Sequence, residues 1–348
     1  MAAERAAAFA PGRVNLIGEH TDYNLGLALP FAITAGVTVT GTPAAGRRLV
    51  AVAADLGEED EFDLDDPPPA SGWRAFVRGV AAELGRSGVA LTPAWLEITG
   101  TVPRGAGLAS SAALEVALCL AMLALAGAGR PDDAELARIC SRAENRWAGA
   151  KTGLLDQLAS LSGAPGAAVR IDFRSLEIGA VPLRLGEWRL VTLDSGERHA
   201  NAASGYNRRR TECAEACDAL GIASLREASP SMLDSLPSPL RERAQHVLGE
   251  NERVDRAVAA LERGDLTEVG RLLSESHASL RDLYDVSTPA VEAAVERLED
   301  AGAVGARVVG GGFGGHVLGL FPPDRPAPEE ALEVRPGPGA RLLKGPRI

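Results

Sequence analysis

The sequence predicts an α+β protein of two domains, and three observations support this expectation. The chain has 348 residues, of which 46% are hydrophobic, so it is long enough for about two domains. Alternating and β-branched runs precede a group of helical segments, which is the order of an α+β domain. Strand and helix patterns return after a break near residues 162–166. We therefore expect an N-terminal domain at residues 1–163 and a C-terminal domain at 164–348.

The N-terminal domain should contain strands first and helices second. Its predicted elements are strands at 27–40 and 49–53, a helix at 73–84, a strand at 95–101, and helices at 108–128, 132–147 and 153–161. In the C-terminal domain we expect strands at 167–172 and 189–193, a long helical region at 205–300, and then two strands separated by a glycine cluster. Residues 322–348 are rich in Pro, Arg and Gly, which predicts that they are only partly ordered.

The charge of the chain excludes several classes of partner. The net charge is −11 and the isoelectric point is near 5.1, whereas nucleic acids and anionic membranes bind cationic surfaces. The apolar run 108–128 carries Glu115 and two serines and starts in a glycine loop, which predicts a buried helix instead of a membrane span. Only Lys151 and Lys344 are lysines. Any phosphate site must therefore use arginine, backbone N–H groups or a metal ion.

The cysteines indicate a reducing environment. The four cysteines are scattered and form no Cys-x-x-Cys pair, and residues 1–9 lack the pattern of a secretory signal. We therefore expect a cytoplasmic protein. Cys213 and Cys217 share a predicted helix face and are candidate metal ligands, but no histidine or second cysteine pair accompanies them. Buried or surface thiols are the favoured interpretation, and no zinc is expected.

A turn-rich segment at residues 10–24 carries the most specific polar pattern in the chain. Glu19, His20 and Asp22 lie within four residues of one another, and Gly18 permits a sharp turn immediately before them. Carboxylates and a histidine at this spacing suit recognition of a polyhydroxylated molecule. A surface loop with chance charges is the alternative.

A second loop has the features of a phosphate site. Gly105 and Gly107 precede Ser110 and Ser111 at the start of the apolar helix, where N–H groups and the helix dipole favour an anion. The chain contains neither a Gly-x-x-x-x-Gly-Lys-Ser/Thr sequence nor the protein-kinase motifs His-Arg-Asp and Asp-Phe-Gly, which excludes both of those classes. Helix capping by one of the serines is the alternative, but capping does not explain the glycines.

A glycine cluster at residues 310–315 formally contains Gly-x-Gly-x-x-Gly. A strand, and not a helix, follows it, so a dinucleotide-binding fold is excluded. The cluster suggests backbone packed tightly against either the phosphate loop or a substrate. A glycine-rich hairpin without a ligand is the alternative.

Two carboxylates, Glu144 and Asp156, lie twelve residues apart across a helix–loop–helix segment. If both face one cleft, one carboxylate can hold Mg²⁺ while the other engages a substrate hydroxyl, as phosphoryl transfer requires. Solvated helix charges are the alternative. The apolar neighbours of Asp156 favour a site.

Together these segments resemble the GHMP family of small-molecule kinases, and in particular its galactokinase members. The resemblance covers most of the chain. The matching segments are 12–24 (sugar motif), 73–80, 103–113 (ATP loop), 143–145, 153–157, 205–213, 275–287 and 310–315 (third family motif). The sugar motif is long and specific, whereas the glycine motifs are shared across the superfamily.

The resemblance implies a fold and an activity. The N-terminal domain would be a mixed sheet with helices, similar to domain 2 of ribosomal protein S5. The C-terminal domain would be ferredoxin-like, and the active site would lie between the two. The chain leaves no room for the helix that family members usually carry between Leu320 and Arg335. The implied reaction is ATP-dependent phosphorylation of the C1 hydroxyl of galactose, with Mg²⁺, by a monomer.

The resemblance also implies roles for individual residues. Arg13 and Asp156 would be catalytic, with Asp156 as either a base or an orienting group, and Ser111 and Glu144 would hold Mg²⁺. The galactose ligands would be Glu19, His20, Asp22, Gly153 and Tyr206. The ATP-binding residues would be Trp73, Phe76, Pro103, Gly105, Ala106, Gly107, Leu108, Ala109, Ser110 and Ser111.

Two alternative functions stay open. The acceptor could be another galactose-like sugar such as N-acetylgalactosamine, since one group at C2 is too small a change to infer from sequence. A non-catalytic sensor of galactose and ATP is the second alternative. A sensor would be expected to lose catalytic residues, whereas Arg13, Ser111, Glu144 and Asp156 are all present.

Overall fold

The computed structural model describes residues 5–103, 107–149, 152–198 and 202–343. Its strands are β1 (Ala6–Asn15), β2 (Leu27–Ala28), β3 (Pro30–Pro43), β4 (Arg48–Ala53), β5 (Glu58–Asp63), β6 (Ala94–Gly100), β7 (Ala167–Asp172), β8 (Glu177–Pro182), β9 (Arg189–Arg198), β10 (Gly305–Val308), β11 (Gly314–Phe321), β12 (Leu332–Val334) and β13 (Arg341–Leu342). Its α-helices are α1 (Trp73–Arg86), α2 (Ser110–Ala126), α3 (Asp133–Ala143), α4 (Leu155–Ser162), α5 (Ala202–Leu220), α6 (Leu240–Arg263), α7 (Leu266–Asp282) and α8 (Pro289–Asp300). The α+β prediction is confirmed.

The N-terminal half is built on a mixed sheet, as expected. Its strand order is β13-β1-β3-β6-β4-β5, and β4 runs parallel to β6 while the other pairs are antiparallel. Alternating apolar residues of β1, β3, β4 and β6 face the helices α1 to α4 and form one hydrophobic core with them. This core fixes the start of α2 and the start of α4 at the same side of the sheet.

Helix α2 is buried along nearly its whole length, which agrees with its apolar sequence. It packs directly on β1 and β3. In the part of the chain that the structure describes, no helix combines the length and the apolar character needed to cross a membrane.

The second sheet has the strand order of a ferredoxin-like domain. Its order is β10-β11-β9-β12, which in chain order reads as second, third, first and fourth strand, and all pairs are antiparallel. Helices α7 and α8 pack on it. The described residues between β11 and β12 contain no helix, as the short spacing in the sequence predicts.

A third, smaller sheet connects the two halves of the chain. It pairs β2 with β7 and β7 with β8, and helix α6 lies against β2 and β8. The domain boundary at 163/164 stays a prediction, and strand pairing crosses it at this sheet. The crossing places the loop after β1 beside the helices of the C-terminal half.

The segment after β11 is more ordered than the sequence predicts. Residues 322–348 were expected to be only partly ordered. Residues 344–348 lie outside the described residues, but within 322–343 β12 pairs with β9 and β13 pairs with β1. Between these strands, Gly337 N–H donates to the Ala32 carbonyl at 2.7 Å and Ala340 N–H to the Ser160 carbonyl at 2.8 Å. Composition suggested a tail, but these backbone hydrogen bonds hold the segment across the N-terminal sheet.

Candidate active site

Two cavities contain most of the predicted site residues that the structure describes. The first measures about 170 Å³, and we call it the sugar cavity because it collects the polar residues of the first motif. Its lining consists of Arg13, Glu19, His20, Asp22, Thr152, Gly153, Leu155, Asp156, Tyr206, Gly310 and Gly311. Every residue that the sequence predicts to be catalytic or sugar-binding is in this set.

The second cavity measures about 350 Å³, and we call it the nucleotide cavity. Its walls are mostly apolar, and they come from the N-terminal half alone. The lining consists of Val37, Ala53, Asp55, Leu56, Gly72, Trp73, Phe76, Ile98, Gly100, Val102, Ser110, Ser111 and Leu114. Trp73, Phe76, Ser110 and Ser111 therefore lie together, as expected for an adenine pocket next to a phosphate loop.

Arg13 connects the sugar cavity with the phosphate loop through a pair of interactions. Its guanidinium contacts the Asp156 carboxylate, with Nη2 2.7 Å and Nε 2.9 Å from Oδ1. Its Nη1 donates to the Gly107 carbonyl at 2.6 Å. Asp156 is the second residue of α4, and Arg13 lies near the end of β1. The α4–β1 packing therefore holds this ion pair between the phosphate loop and the sugar cavity.

Glu19 is held from two directions. Its Oε1 accepts a hydrogen bond from Gly310 N–H at 2.7 Å and lies 3.1 Å from Nη2 of Arg307, whose side chain is fully buried. The second guanidinium nitrogen of Arg307 donates to the Asn15 and Leu16 carbonyls at 3.0 and 2.9 Å. Arg307 thus fixes both the Glu19 carboxylate and the end of β1, which leads into the turn that carries Glu19.

The backbone of the same turn rests on a buried carboxylate from α6. Glu250 Oε1 accepts from Gly18 N–H at 2.9 Å and from Glu19 N–H at 3.3 Å. Burial alone would raise the pKa of Glu250, but Arg253 and other nearby cations outweigh it and lower the pKa to about 2. Glu250 is therefore a carboxylate at neutral pH, and it accepts these N–H groups as an ion.

Asp22 and Gly153 fit against each other in a way that requires glycine. A Cβ built on Gly153 would lie 1.8 Å from Oδ2 of Asp22, so any side chain there would displace the carboxylate. Burial raises the pKa of Asp22 to about 6, and the nearby charges of Asp156 and Glu19 act in the same direction. The site thus holds three carboxylates close together.

His20 and Tyr206 form an aromatic wall of the sugar cavity. Their ring centroids are 5.3 Å apart. Burial lowers the pKa of His20 to about 3, so the ring is neutral at neutral pH. Burial likewise raises the pKa of Tyr206, which keeps its hydroxyl protonated. Both rings can exchange neutral hydrogen bonds with a sugar.

The start of α2 is not capped by a serine. Its N-cap is Ala109, which has φ 57° and makes no side-chain capping bond, and Ala113 N–H makes the first bond to the Ala109 carbonyl. Ser111 Oγ instead donates to Oε1 of Glu144 at 3.3 Å. The capping alternative is therefore wrong, and the N–H groups of the first turn have no acceptor among the described residues.

Glu144 opens a π-helical turn (Glu144–Ala148) that directly continues α3, where the sequence predicted one regular helix. Its carboxylate accepts from Ser111, from Thr152 and from Gln157, whose Nε2 also lies 3.1 Å from Oε2 of Glu115. Burial raises the pKa of both Glu144 and Glu115. The described residues contain no group of three or more His, Cys, Asp or Glu side chains that could hold a metal ion.

The glycine cluster lies beside the phosphate loop, which is one of its two expected neighbours. Gly310 and Gly311 line the sugar cavity, and a Cβ built on Gly107 of the phosphate loop would lie 3.7 Å from the Val309 carbonyl oxygen. Gly312 has φ 75°, which an L side chain adopts only with strain. The position of Gly310 and Gly311 in the cavity wall favours a role for the cluster in the site.

Some predicted ATP residues lie outside the cavity lining. Gly105 and Ala106 fall outside the described residues, and Pro103 is exposed. Leu108 and Ala109 are buried directly before α2. The Leu108 carbonyl accepts from Arg13 N–H at 3.1 Å, so the loop is anchored to β1.

The sequence did not identify the residues that hold the side chains of Glu144 and Glu19 in place. These are Thr152, Gln157 and Glu115 around Glu144, and Arg307 and Glu250 around Glu19. A glutamate within the apolar helix α2 was the one local signal, because a buried carboxylate needs partners. Arginine or glutamate on an amphipathic element carries no such signal.

Family models match three parts of the chain. The galactokinase galactose-binding signature matches residues 2–43, the GHMP kinase N-terminal domain matches 74–164, and the GHMP kinase C-terminal domain matches 257–336. The first includes Arg13 and the Glu19 turn, and the second includes Glu144 and Asp156.

Curated relatives are similar along most of their length. A galactokinase of Roseiflexus sp. is 44% identical over 322 residues, which cover 89% of this chain and 82% of that protein. A galactokinase of Mycobacterium tuberculosis is 42% identical over 323 residues, which cover 91% and 89%.

Solved structures agree with the sequence relatives. Lactococcus lactis galactokinase complexed with galactose has a TM-score of 0.90 and 32% identity, covering 98% of this chain and 95% of that one. The mevalonate kinase of Methanococcus jannaschii has a TM-score of 0.65 and 16% identity over 91% and 90% of the two chains, a likeness of fold alone. This chain therefore belongs to the galactokinase family of GHMP kinases.

Proposed function

We propose that this chain transfers the terminal phosphoryl group of ATP to the C1 hydroxyl of galactose. The observation that carries the proposal is the position of the Arg13–Asp156 ion pair. Asp156 lines the sugar cavity, and Arg13 also donates to the Gly107 carbonyl of the phosphate loop. A hydroxyl at Asp156 therefore lies next to the place where the loop holds phosphate.

Each residue contributes to alignment or to charge balance. The Asp156 carboxylate accepts or orients the proton of the C1 hydroxyl, and Arg13 offsets the negative charge that develops on the transferring group. The N–H groups at the start of α2 bind phosphate oxygens. Because a phosphoryl transition state is loose, these contacts should matter at least as much as proton removal.

Ser111 and Glu144 are the proposed holders of Mg²⁺. Both supply oxygen atoms, which Mg²⁺ prefers, and in phosphoryl-transfer sites one or two protein carboxylates suffice. The raised pKa of Glu144 reflects burial, and its hydrogen-bond partners compensate only in part. A bound cation would favour the ionised form. Mg²⁺ would supply charge neutralisation on the phosphates.

The sugar cavity provides the recognition that the reaction needs. Glu19, Asp22 and Asp156 present acceptors, whereas Arg13 and backbone N–H groups present donors. The small cavity also separates the acceptor hydroxyl from water, which would otherwise accept the phosphoryl group. A cytoplasmic location and a monomeric state stay predictions. The four free cysteines support the first.

The test compares sugars and one variant of the full chain. With galactose, N-acetylgalactosamine and glucose in a coupled ADP assay, we expect turnover with galactose and a C1 phosphate in the product by ³¹P NMR. Asp156→Asn should lower kcat by about 10²- to 10⁴-fold, because the proton acceptor is lost, while calorimetry still detects galactose binding.

Asp255→Asn is the matched control, since Asp255 is exposed on α6 and pairs only with Arg170 among the described residues. Near-normal kcat in Asp156→Asn would refute the role of Asp156. No ADP above background with galactose would refute the proposed substrate.

A further inference from the structure

One ring nitrogen of His20 is bonded inside the protein, and the other has no partner. Nδ1 lies 2.8 Å from the Tyr23 hydroxyl, whereas Nε2 is buried without a hydrogen-bond partner among the described residues. Burial lowers the pKa to about 3, although a backbone interaction with Gly311 opposes this. A neutral imidazole has one donor and one acceptor nitrogen. The tautomer therefore decides what His20 offers to a ligand.

A line of hydrogen bonds runs away from Nδ1 into the C-terminal half. The Tyr23 hydroxyl lies 2.9 Å from the Tyr284 hydroxyl, which lies 3.0 Å from Cys213 Sγ. The line ends at Asn24, whose Nδ2 is 3.6 Å from Sγ and 2.8 Å from the His20 carbonyl oxygen. Because a carbonyl oxygen only accepts, this atom of Asn24 must be the nitrogen, and it donates to Sγ as well.

The donor at Asn24 sets the direction of the whole line. Burial raises the pKa of Cys213 to about 11, so the thiol keeps its proton at neutral pH. Its sulfur already accepts from Asn24, and its other partner among the described residues is the Tyr284 hydroxyl. Every donor of the line has an acceptor if Cys213 donates to Tyr284, Tyr284 to Tyr23, and Tyr23 to Nδ1. The reverse direction would leave the thiol proton without an acceptor among the described residues.

We propose that Cys213, Tyr284 and Tyr23 form a directional hydrogen-bond chain that holds His20 as its Nε2–H tautomer, so that His20 donates to a hydroxyl oxygen of the sugar. The sugar part of this inference rests on the proposed function. The three residues of the chain are positioning residues, because they act through His20. The inference assigns His20 the opposite role to the carboxylates of Glu19 and Asp22, which accept from sugar hydroxyls.

The tautomer is measured on the protein without sugar. In ¹⁵N-histidine-labelled protein, assigned with a His20→Gln variant, we expect the Nδ1 signal of a non-protonated nitrogen and the Nε2 signal of an N–H group. Tyr23→Phe removes the donor to Nδ1 and should shift both signals towards their averaged values. A protonated Nδ1 in the unaltered chain would overturn the inference, whichever sugar the protein binds.

Kinetics of cysteine variants test whether the chain acts on sugar recognition. Cys213→Ala should raise the KM for galactose about three- to tenfold, the effect of weakening one hydrogen bond, with kcat and the KM for ATP unchanged. Cys213→Ser should restore most of the loss, because its hydroxyl also donates. Cys217→Ala, one turn further along α5, is the matched control. An equal loss in Cys213→Ser, or no loss in Cys213→Ala, would contradict the proposal.

Sugar analogues test the direction of the bond to His20. Fluorine accepts a hydrogen bond weakly but cannot donate one. At the hydroxyl that His20 contacts, a deoxyfluoro-galactose should therefore bind more tightly than the matching deoxy-galactose in calorimetry, and His20→Ala should abolish the difference. If no ring position shows the difference, His20 is not a donor. If galactose itself does not bind, the proposed substrate fails, while the NMR result still stands.

Discussion

The sugar cavity and the nucleotide cavity differ in polarity and in the parts of the chain that line them. The sugar cavity is small and polar, and its lining comes from both halves of the chain, from Arg13 to Gly311. The nucleotide cavity has about twice the volume, and apolar side chains of the N-terminal half form most of its wall. One cavity therefore depends on distant parts of the fold meeting, and the other does not.

The difference extends to what lies behind each wall. Behind Glu19 stand two fully buried ionic side chains, Arg307 and Glu250, whereas Trp73 in the nucleotide cavity is half-buried and bonds to Glu58 at 2.8 Å on the surface. Polar recognition needs groups fixed in direction, because a misplaced hydrogen bond is lost. Apolar contact with a base tolerates small displacements. We therefore expect changes behind the sugar cavity to be more damaging.

Arg307→Met should have the largest effect. It leaves the Glu19 carboxylate buried without its cation, which typically costs about 3 to 5 kcal/mol in the free energy of unfolding. Galactose affinity should fall by at least about tenfold, because Glu19 and the turn behind it lose their support. Urea unfolding and calorimetry with galactose measure the two effects.

Arg335→Met is the control for this change, since Arg335 is exposed and pairs with Glu333. ATP affinity of the folded Arg307→Met protein should stay close to that of the unaltered chain. Equal losses of galactose and ATP affinity would mean that the two cavities are not supported separately.

Phe76→Ala should have an intermediate effect, on the other cavity. Loss of a half-buried aromatic wall corresponds to about 1 to 2 kcal/mol of binding, so the KM for ATP should rise about five- to thirtyfold. The KM for galactose should not change. Steady-state kinetics with each substrate varied in turn measure this, and Trp95→Ala, an exposed aromatic on β6, is the control. An unchanged KM for ATP would place the base elsewhere.

The pH dependence of sugar binding should show the smallest effect. With the pKa of Asp22 near 6, galactose affinity should fall about fourfold between pH 7.5 and pH 5.5, because the protonated form is a weaker acceptor. Asp22→Asn should bind weakly at both values and show no such dependence. Calorimetry in two buffers of different ionisation enthalpy also reports the proton released on binding, and absence of release at pH 6 would contradict the assignment.

The Asp22 carboxyl group also makes the stability of the fold depend on pH. Its pKa is higher in the folded chain, about 6, than the ordinary value of 3.8, so the folded state binds the proton more tightly. Ionisation of Asp22 therefore lowers the free energy of unfolding. This loss is absent below about pH 3.8, grows as the pH rises to about 6, and is complete above that value. The free energy of unfolding of Asp22→Asn should lack this component.

The sequence predicted most of the polar groups that line the sugar cavity because their signals are local. Glu19, His20 and Asp22 lie within one turn, and the glycines before Ser111 mark the loop before α2. The partners of these groups could not be predicted in the same way. Arg307 lies far from Glu19 along the sequence. Neither an arginine as such nor its position on β10 indicates that it forms a buried ion pair.

One alternative and one expectation, both based on local composition, are wrong because tertiary contacts decide the structure. Serine before an apolar run suggested a cap, yet Ser111 turns to Glu144 and Ala109 takes the left-handed conformation. A segment rich in Pro, Arg and Gly suggested partial order, yet the N-terminal sheet and the end of α4 supply acceptors for its N–H groups. Both errors concern backbone groups whose partners lie far away in sequence.

The pairing of β13 with β1 has a consequence for synthesis of the protein on the ribosome. Ala8, near the start of the chain, pairs with Leu342, near the end of the described residues. While the nascent chain grows, one edge of β1 must wait for β13, which is synthesised after all the other described strands. Such a late long-range closure makes folding slow, and it leaves the waiting edge open to pairing with other nascent chains.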